Sequence, residues 1–310
     1  MDARFLAEIR KLYESGAAEL ARSLTFEKLT RAGGRRKVQL LRSIEARLKE
    51  LGGATKKLYA EEIPAEYIDA ANETREDVGW GEVLKPANFV GIDTAAVQTA
   101  LATAVDDTQF ALSAVNRTCR GLVNSRHLSY AQNAGINRLL AEANVTGETV
   151  AGLSRALTGY INPEWFGQYA DVQAGTFFKL SGRRWKLSDY AHLTAQVRMG
   201  TVANMGHLNW ALKHGFRFAQ LSRHAGACKV CQQYQGKVFS TTGKPERDHT
   251  GTIRRPLSEV PGKGGLIHPY CAHTYMPWGR PDSEMAEEHG SPRSILNADR
   301  HTNDVIELES

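Results

Sequence analysis

The sequence contains no apolar run near the 20 or so residues that a bilayer crossing requires. Its first residues, MDARFLAEIRK, carry charge and lack the apolar core of a signal peptide, so we expect neither secretion by that route nor a membrane partner. Only 4 of the 310 residues are cysteine, which is no disulfide framework and favours metal binding in a reducing compartment. The remaining composition, 42% apolar and 24% charged, is typical of a soluble globular protein.

Charge is unevenly distributed, although the net charge is only +5. Residues 1–57 hold 14 Lys and Arg against 7 Asp and Glu, and residues 58–109 reverse this with 2 against 11. Residues 110–281 hold 21 against 8, and residues 282–310 hold 2 against 8. The basic block favours a polyanionic partner such as DNA, whose phosphates Lys and Arg neutralise. A solubilising surface is the alternative explanation of the same excess.

Apolar residues recur at spacings of three and four through the first half of the chain, which predicts amphipathic helices. Gly52-Gly53 is expected to end one helix, and Pro64 to kink or split the next. Asp93 or Thr94 is the expected cap of a long helix. The predicted helices cover residues 2–24, 38–51, 55–72, 93–125, 129–142 and 147–160. We therefore expect an all-helical region over residues 1–160.

The composition changes after residue 160, where aromatic and β-favouring residues on both sides of Ser181-Gly182 predict a hairpin over residues 176–187. Further elements are a helix over residues 188–214, strands over 216–223, 238–239 and 267–278, and a long exposed loop over 240–264. An acidic tail over residues 282–310 follows. The predicted fold class is α+β: a mainly helical N-terminal region, then a small α+β domain over residues 161–281.

Three of the four cysteines lie in this domain, and two histidines flank the last of them. Cys228 and Cys231 form a Cys-x2-Cys motif, and His268, Cys271 and His273 follow after a loop of 36 residues. Thiolate and imidazole at such spacing are typical ligands of a structural Zn²⁺, with Zn–S near ~2.3 Å and Zn–N near ~2.0 Å. Two alternatives stay open. The knuckle could fold without metal, or Cys-x2-Cys could be a redox pair, although no βαβ unit precedes it.

Three cysteines leave one ligand position for a histidine. His268 is preferred, because Pro269 after it would rigidify the turn. His273 is a close rival, since two residues along an extended chain bring it to the same side as Cys271. His224 is expected to make hydrogen bonds around the site or to lie in the core. A site with three thiolates is expected to be structural, because catalytic zinc keeps an open position and harder ligands.

A succession of motifs runs from Phe177 to Trp278. An aromatic-Gly-Trp hairpin and a helix carrying arginine precede a Ser-x-His-x-Gly strand end at Ser222. A Tyr-Gln-Gly-Lys run follows Cys231, and a His-Pro-x-Cys-x-His box covers residues 268–273. This succession resembles the head-morphogenesis domain of tailed-phage minor capsid proteins of the MuF type, especially their minor capsid protein 2 branch. The helical first half is also similar to that branch.

The sequence departs from the family's pattern at three positions. Tyr270 and Ala272 replace an Asn and an Arg of the knuckle, and Met199 replaces a Thr after the helix Arg. An activity that needed those residues would be missing, whereas the ligand-type residues are kept. The retained ligand-type residues favour a structural role for the knuckle.

The resemblance implies a virion structural protein without enzymatic activity, bound to the portal on the capsid interior at the portal vertex. Residues 1–160 would dock to the portal or capsid, and residues 161–281 would form the head-morphogenesis domain. Incorporation would take place in the host cytoplasm during head assembly, next to major capsid or scaffolding protein. The protein would then aid DNA packaging or ejection.

Packaged double-stranded DNA is a further expected partner, contacted weakly and without sequence specificity. The candidate contacts are Arg183, Arg184, Lys186, Arg254 and Arg255. The alternative function is a stand-alone zinc-containing DNA-binding or DNA-processing protein of nuclease or toxin type. A zinc deaminase is disfavoured, because Ala225-Gly226 follows His224 where that class needs His-x-Glu.

Overall fold

The structure is a computed structural model, and it confirms the α+β fold class. It describes residues 3–25, 28–29, 34–79, 81–125, 163–180, 182–261 and 271–282. The α-helices in this part are α1 (Ala3–Ser23), α2 (Gly34–Val78), α3 (Gly91–Asn124), α4 (Pro163–Gln173) and α5 (Leu187–Lys213). The strands are β1 (Thr176–Leu180), β2 (Arg183–Lys186), β3 (Phe218–Leu221), β4 (Val238–Ser240), β5 (Glu246–Arg247), β6 (Ile253–Arg254) and β7 (Tyr275–Trp278). None of these helices has the length and apolarity for a bilayer crossing.

Helix α2 is one helix of 45 residues, where the sequence predicted two helices with a break between them. The predicted end at Gly52-Gly53 is wrong, because both glycines are helical and the nearby Leu51 and Tyr59 are buried. Burying such a side chain contributes ~1.5–3 kcal/mol, which outweighs the ~1 kcal/mol that a helical glycine costs. Pro64 does not split the helix either, since the adjacent Ile63 is fully buried and holds the turn in place.

The remaining helices of the first half agree with the predictions where the structure describes them. Helix α1 matches the helix expected over residues 2–24, and α3 begins at Gly91, two residues before the expected cap Asp93. The helices predicted over residues 129–142 and 147–160 lie outside the described residues.

Asp93 is a buried carboxylate that connects three elements. It accepts hydrogen bonds from the Tyr67 hydroxyl at 2.7 Å, the Val90 N–H at 3.0 Å and the Lys213 ammonium at 2.9 Å. Burial alone would raise the pKa of Asp93, but these bonds hold that pKa below its ordinary value. The bonds therefore keep a charged group stable in the interior and join α2, α3 and α5.

The predicted hairpin is confirmed as β1 paired with β2. Phe178 lies opposite Trp185, and Gly182 in the turn has a φ of 77°, which favours glycine. The ring of Tyr190 on α5 packs edge-on against both aromatic rings, at centroid distances of 5.1 and 5.8 Å. Helix α5 itself matches its prediction and is followed by Gly215 at a φ of 75°.

A three-stranded antiparallel sheet in the order β4-β3-β7 positions the Cys/His region. Ala219 in the central strand lies opposite Phe239 in β4 and Pro277 in β7. Pro277 is tolerated because β7 is an edge strand of this sheet. The strands expected near residues 216–223 and 238–239 are thus confirmed, and β7 lies within the strand expected over 267–278.

The described part of residues 240–264 is mostly exposed, as expected, but it is not a loop throughout, because it contains two short strands. Strands β5 and β6 pair there around Asp248, which is 6% exposed. The Asp248 carboxylate accepts the N–H groups of Thr250 at 2.8 Å and Thr252 at 3.0 Å and pairs with Arg254. Burial alone would raise the pKa of Asp248, but these bonds lower it well below its ordinary value. A buried carboxylate thus holds the paired strands of this segment together, and Val260 near its end packs into the apolar cluster that contains Cys231.

The chain divides into two compact units. One unit comprises residues 1–5, 57–105 and 193–310, and it holds the three-stranded sheet. The other comprises residues 6–56 and 106–192, and it holds the β1–β2 hairpin. The predicted division at residue 160, between a docking region and a head-morphogenesis domain, stays a prediction.

Two alanine substitutions test the helix packing. Gly53→Ala is expected to raise the free energy of unfolding by about 0.5–1 kcal/mol, because the residue is helical and its added Cβ meets no described atom within 4 Å. Gly206→Ala is expected to lower that free energy by roughly 1–3 kcal/mol, since its Cβ would lie 2.5 Å from the Tyr67 carbonyl oxygen. Denaturant unfolding measures both shifts. A less stable Gly53→Ala protein would contradict a helix that continues through this position.

Candidate metal centre

Backbone and amide hydrogen bonds place the two halves of the candidate site side by side. Ser222 follows β3 and Thr274 precedes β7. The Ser222 N–H donates to the Thr274 carbonyl, and the Thr274 N–H donates to the Ser222 hydroxyl oxygen, each at 2.9 Å. Asn204 on α5 donates to the His273 carbonyl at 3.2 Å and accepts the Tyr275 N–H at 3.1 Å. The segment that carries Cys271 and His273 is therefore fixed from the sheet and from α5.

Cys231, Cys271 and His273 form what we call the Cys/His cluster, in which the ligand atoms all lie within 4.8 Å of one another. The Cys231 and Cys271 Sγ atoms are 3.9 Å apart, and Cys271 Sγ lies 3.4 Å from His273 Nδ1. A tetrahedral zinc site has S···S edges of ~3.8 Å and S···N edges of ~3.6 Å, from its ordinary bond lengths. The Cys231–Cys271 and Cys271–His273 distances therefore match two edges of such a site.

Burial determines the protonation state of the Cys231 thiol. Cys231 is 1% exposed, and burial raises the pKa of its thiol to about 12, with further contributions from Cys228 and Cys271. A thiol of this kind is protonated at neutral pH and is a poor nucleophile. A bound cation reverses this preference, because it stabilises the thiolate directly.

The other two predicted ligands differ in their placement. Cys228 is exposed and lies close enough to Cys231 to affect its pKa, but it is not part of the Cys/His cluster. His268, the preferred histidine, lies outside the described residues. His273 is the described histidine that meets the sulfur atoms, and it is 3% exposed.

His224 does not lie in the core. Its side chain is exposed, and its ring centroid is 5.8 Å from that of His273. Its backbone N–H donates to Gln235 Oε1 at 3.1 Å, and the same oxygen lies 3.4 Å from His273 Nε2. This hydrogen bond comes from the backbone of His224, so hydrogen bonding by its ring stays a prediction.

The backbone conformation at position 236 favours the glycine that follows Gln235 in the Gln-Gly-Lys run. Its φ is 73°, and an added Cβ would lie 2.6 Å from the Arg223 Nε atom. Its N–H donates to the Leu221 carbonyl at 2.8 Å, and its carbonyl accepts the Gln220 amide at 2.8 Å. This turn holds the segment after Cys231 against β3.

Sequence reasoning missed two residues that surround the Cys/His cluster. Asn204 lies within a long helix, and no local pattern distinguishes it from other polar helix residues. Tyr275 is buried in the same apolar cluster as Cys231, and Cys271 packs against that cluster. The Tyr275 hydroxyl has no hydrogen-bond partner among the described residues. Burial raises the pKa of Tyr275, and the two neighbouring cysteines raise it further.

A cleft of about 710 Å³ opens beside the Cys/His cluster. Its lining includes four acidic residues along one face of α2 and two members of the cluster: Glu62, Glu66, Asp69, Glu73, Cys271 and His273. Carboxylates at this spacing lower the electrostatic potential of the cleft, which favours cations over anions. Cys271 and His273 thus line a cleft that also carries four acidic side chains.

Three of the predicted DNA contacts lie on the β1–β2 hairpin, and they are all exposed. The Arg183 guanidinium lies 4.6 Å from the ring centroid of Trp185, and Arg184 forms an ion pair with Asp171 at 2.9 Å. Lys186 ends β2. Arg184 is thus already partnered by a carboxylate.

The other two predicted contacts lie near β6, in the other compact unit. Arg254 pairs with the buried Asp248 and lies 5.1 Å from the ring centroid of Trp278. The side chain of Arg255 is 82% exposed, with Glu259 at 3.8 Å. The structure therefore does not bring the five basic residues into one compact unit.

A family model described as phage minor capsid protein 2 matches residues 9–289, which is nearly the whole chain. Comparisons with curated proteins and with solved structures give no match. The matched range includes most of helix α1, the three-stranded sheet and every member of the Cys/His cluster. The chain belongs to the phage minor capsid protein 2 family.

Proposed function

We propose that this chain is a structural protein of the phage virion that binds the portal on the capsid interior. It aids head assembly and the packaging or ejection of DNA. The observation that carries the proposal is the family match over residues 9–289, because a match of that length includes the helices as well as the knuckle. We also propose that the chain is not an enzyme. The match to a capsid protein family supports this.

The proposal assigns different roles to different parts of the chain. Residues 1–160 dock to the portal or capsid, supported by the long helices α2 and α3, which can span a wide contact surface. Residues 161–281 form the head-morphogenesis domain with the Cys/His cluster. The tail over residues 282–310, with 8 acidic against 2 basic residues, favours contact with basic surfaces. Assembly takes place in the host cytoplasm, with major capsid or scaffolding protein present.

The Cys/His cluster is proposed to hold a structural Zn²⁺. Cys231, Cys271 and His273 supply three ligands, and Cys228 or His268 completes the set. When bound, zinc stabilises the thiolates and cross-links the segments that follow β3 and precede β7. The Tyr275 hydroxyl, which has no hydrogen-bond partner in the described part of the chain, supports this assignment, because a metal-bound thiolate is a much stronger hydrogen-bond acceptor than a thiol.

Packaged DNA is proposed as a weak, non-specific partner. Arg183 and Lys186 are exposed and can reach phosphates directly, whereas Arg255 is exposed but also pairs with Glu259. Arg184 and Arg254 are held by carboxylates, so a phosphate must compete with an existing ion pair. Binding of this kind depends on released counterions and therefore falls steeply with salt.

Elemental analysis tests the zinc assignment. The purified chain is expected to contain about one mole of zinc per mole of protein, and Cys231→Ser is expected to lose it. Cys119→Ser is the matched control, because Cys119 is also a buried free cysteine but is not part of the Cys/His cluster. Equal zinc content in the two serine variants would contradict the assignment.

A salt titration tests the DNA contacts. The double variant Arg183→Ala/Lys186→Ala is expected to reduce the slope of log affinity against log salt by about two, because two phosphates are no longer neutralised. Lys56→Ala/Lys57→Ala removes the same charge from exposed positions in α2 and is expected to keep the slope. Fluorescence anisotropy with double-stranded DNA measures both. Binding that is absent or insensitive to salt would refute the proposed DNA interaction.

Co-purification tests the portal assignment. The full chain, co-expressed with the portal protein of the same phage, is expected to form a stable complex that a tag on either protein captures. A major capsid protein from an unrelated phage serves as the negative control. If the chain alone cleaves DNA or binds one DNA site specifically, and no portal complex forms, the stand-alone DNA-processing function is correct instead.

A further inference from the structure

The carboxamide of Gln235 lies between the backbone of His224 and the imidazole of His273. Its Oε1 atom accepts the His224 N–H at 3.1 Å and lies 3.4 Å from His273 Nε2. The Gln235 N–H also donates to the Cys231 carbonyl at 2.9 Å. Gln235 therefore touches both segments of the Cys/His cluster, which makes it a candidate for determining which ring nitrogen of His273 carries the proton.

The backbone at His224 determines which end of the Gln235 amide faces inward. A backbone N–H is a donor and cannot accept a hydrogen bond. The atom of Gln235 that meets it must therefore be the carbonyl oxygen rather than the amide nitrogen. This fixes the amide orientation without reference to the histidine, and it leaves a second lone pair of Oε1 for another donor.

The tautomer of His273 follows from that orientation. Because Oε1 only accepts, the Nε2 atom across from it has to carry the proton. A neutral imidazole has one N–H, so Nδ1 then bears the lone pair. The Nδ1 atom is the one that lies 3.4 Å from Cys271 Sγ, on the side of the sulfur atoms.

We propose that Gln235 holds His273 in the tautomer that offers Nδ1 to the metal, so that His273 is an Nδ1 ligand and Gln235 is its positioning residue. The proposal rests on the proposed zinc site and adds to it the ligand atom and the group that selects it. A carbonyl acceptor on the far nitrogen also makes an imidazole a better ligand. The Gln of the Gln-Gly-Lys run thus acts on the metal through His273, while the Gly lets the chain turn beside it.

Imidazole NMR on the full chain tests the ligand atom directly. In the ¹⁵N-labelled, zinc-loaded protein, the protonated nitrogen of His273 is expected to couple to both ring C–H protons, which identifies Nε2–H. The metal-bound nitrogen is expected to couple strongly to only one of them. His273→Gln assigns the signals among the ten histidines. The opposite pattern, with Nε2 bound to zinc and Nδ1 protonated, overturns the proposal.

Matched glutamine variants test the positioning role. Gln235→Leu is expected to weaken zinc binding by roughly 10–100-fold in a competition titration with a chromophoric chelator. Gln235→Glu keeps an oxygen acceptor and is expected to restore the affinity. Gln232→Leu is the control, because Gln232 lies three residues before Gln235 but its side-chain amide donates to the Ala227 carbonyl at 3.0 Å. Equal losses in Gln235→Leu and Gln232→Leu would overturn the role of Gln235.

The zinc site and the role of Gln235 can fail separately. If the unmodified chain binds no zinc, the proposed zinc site is wrong. The NMR spectrum of the metal-free chain then tests the tautomer, which the hydrogen bond to Gln235 is expected to fix as Nε2–H without metal. If zinc binds but the tautomer is reversed, the zinc site stands and the proposal for Gln235 is wrong.

Discussion

The antiparallel pairing of β3 with β7 is the constraint on which the candidate site depends. It places Leu221 opposite Tyr275, and Ser222 and Thr274, 52 residues apart in sequence, then leave the sheet side by side. Cys231 and Cys271 need only short excursions from these points to come within 3.9 Å of each other. The sheet therefore creates the proximity, and a bound metal would stabilise an arrangement that backbone hydrogen bonds have already formed.

The parts of the fold that sequence predicted well are those set by local chemistry. The β1–β2 hairpin and helix α5 each carry their own turn or end signal, at Gly182 and Gly215. The errors share one cause, which is that distant contacts overrode a local signal. Gly52-Gly53 continues a helix because its neighbours are buried, and the segment around Asp248 is ordered by a buried carboxylate that apolar patterns do not reveal.

The candidate site was likewise predicted only in part. Residue type and spacing were enough to select Cys231 and Cys271 as candidate ligands, which the structure brings together, and to keep His273 as a close rival, because two residues of extended chain share a face. The roles of Asn204 and Gln235 could not be read from the sequence, since each depends on a partner that only the fold supplies. The ligand types are thus a local property, whereas their orientation belongs to the tertiary structure.

The register of β3 and β7 also decides how the knuckle would respond to mechanical load. Phe218 pairs with Trp278 where the chain enters and leaves this pair of strands, and Leu221 pairs with Tyr275 at the other end. Tension applied through the flanking chain would separate the paired residues of β3 and β7 one after another, beginning at Phe218 and reaching Ser222 and Thr274 last. The Cys/His cluster lies beyond the Ser222–Thr274 pair, so force reaches it only after the two strands have separated.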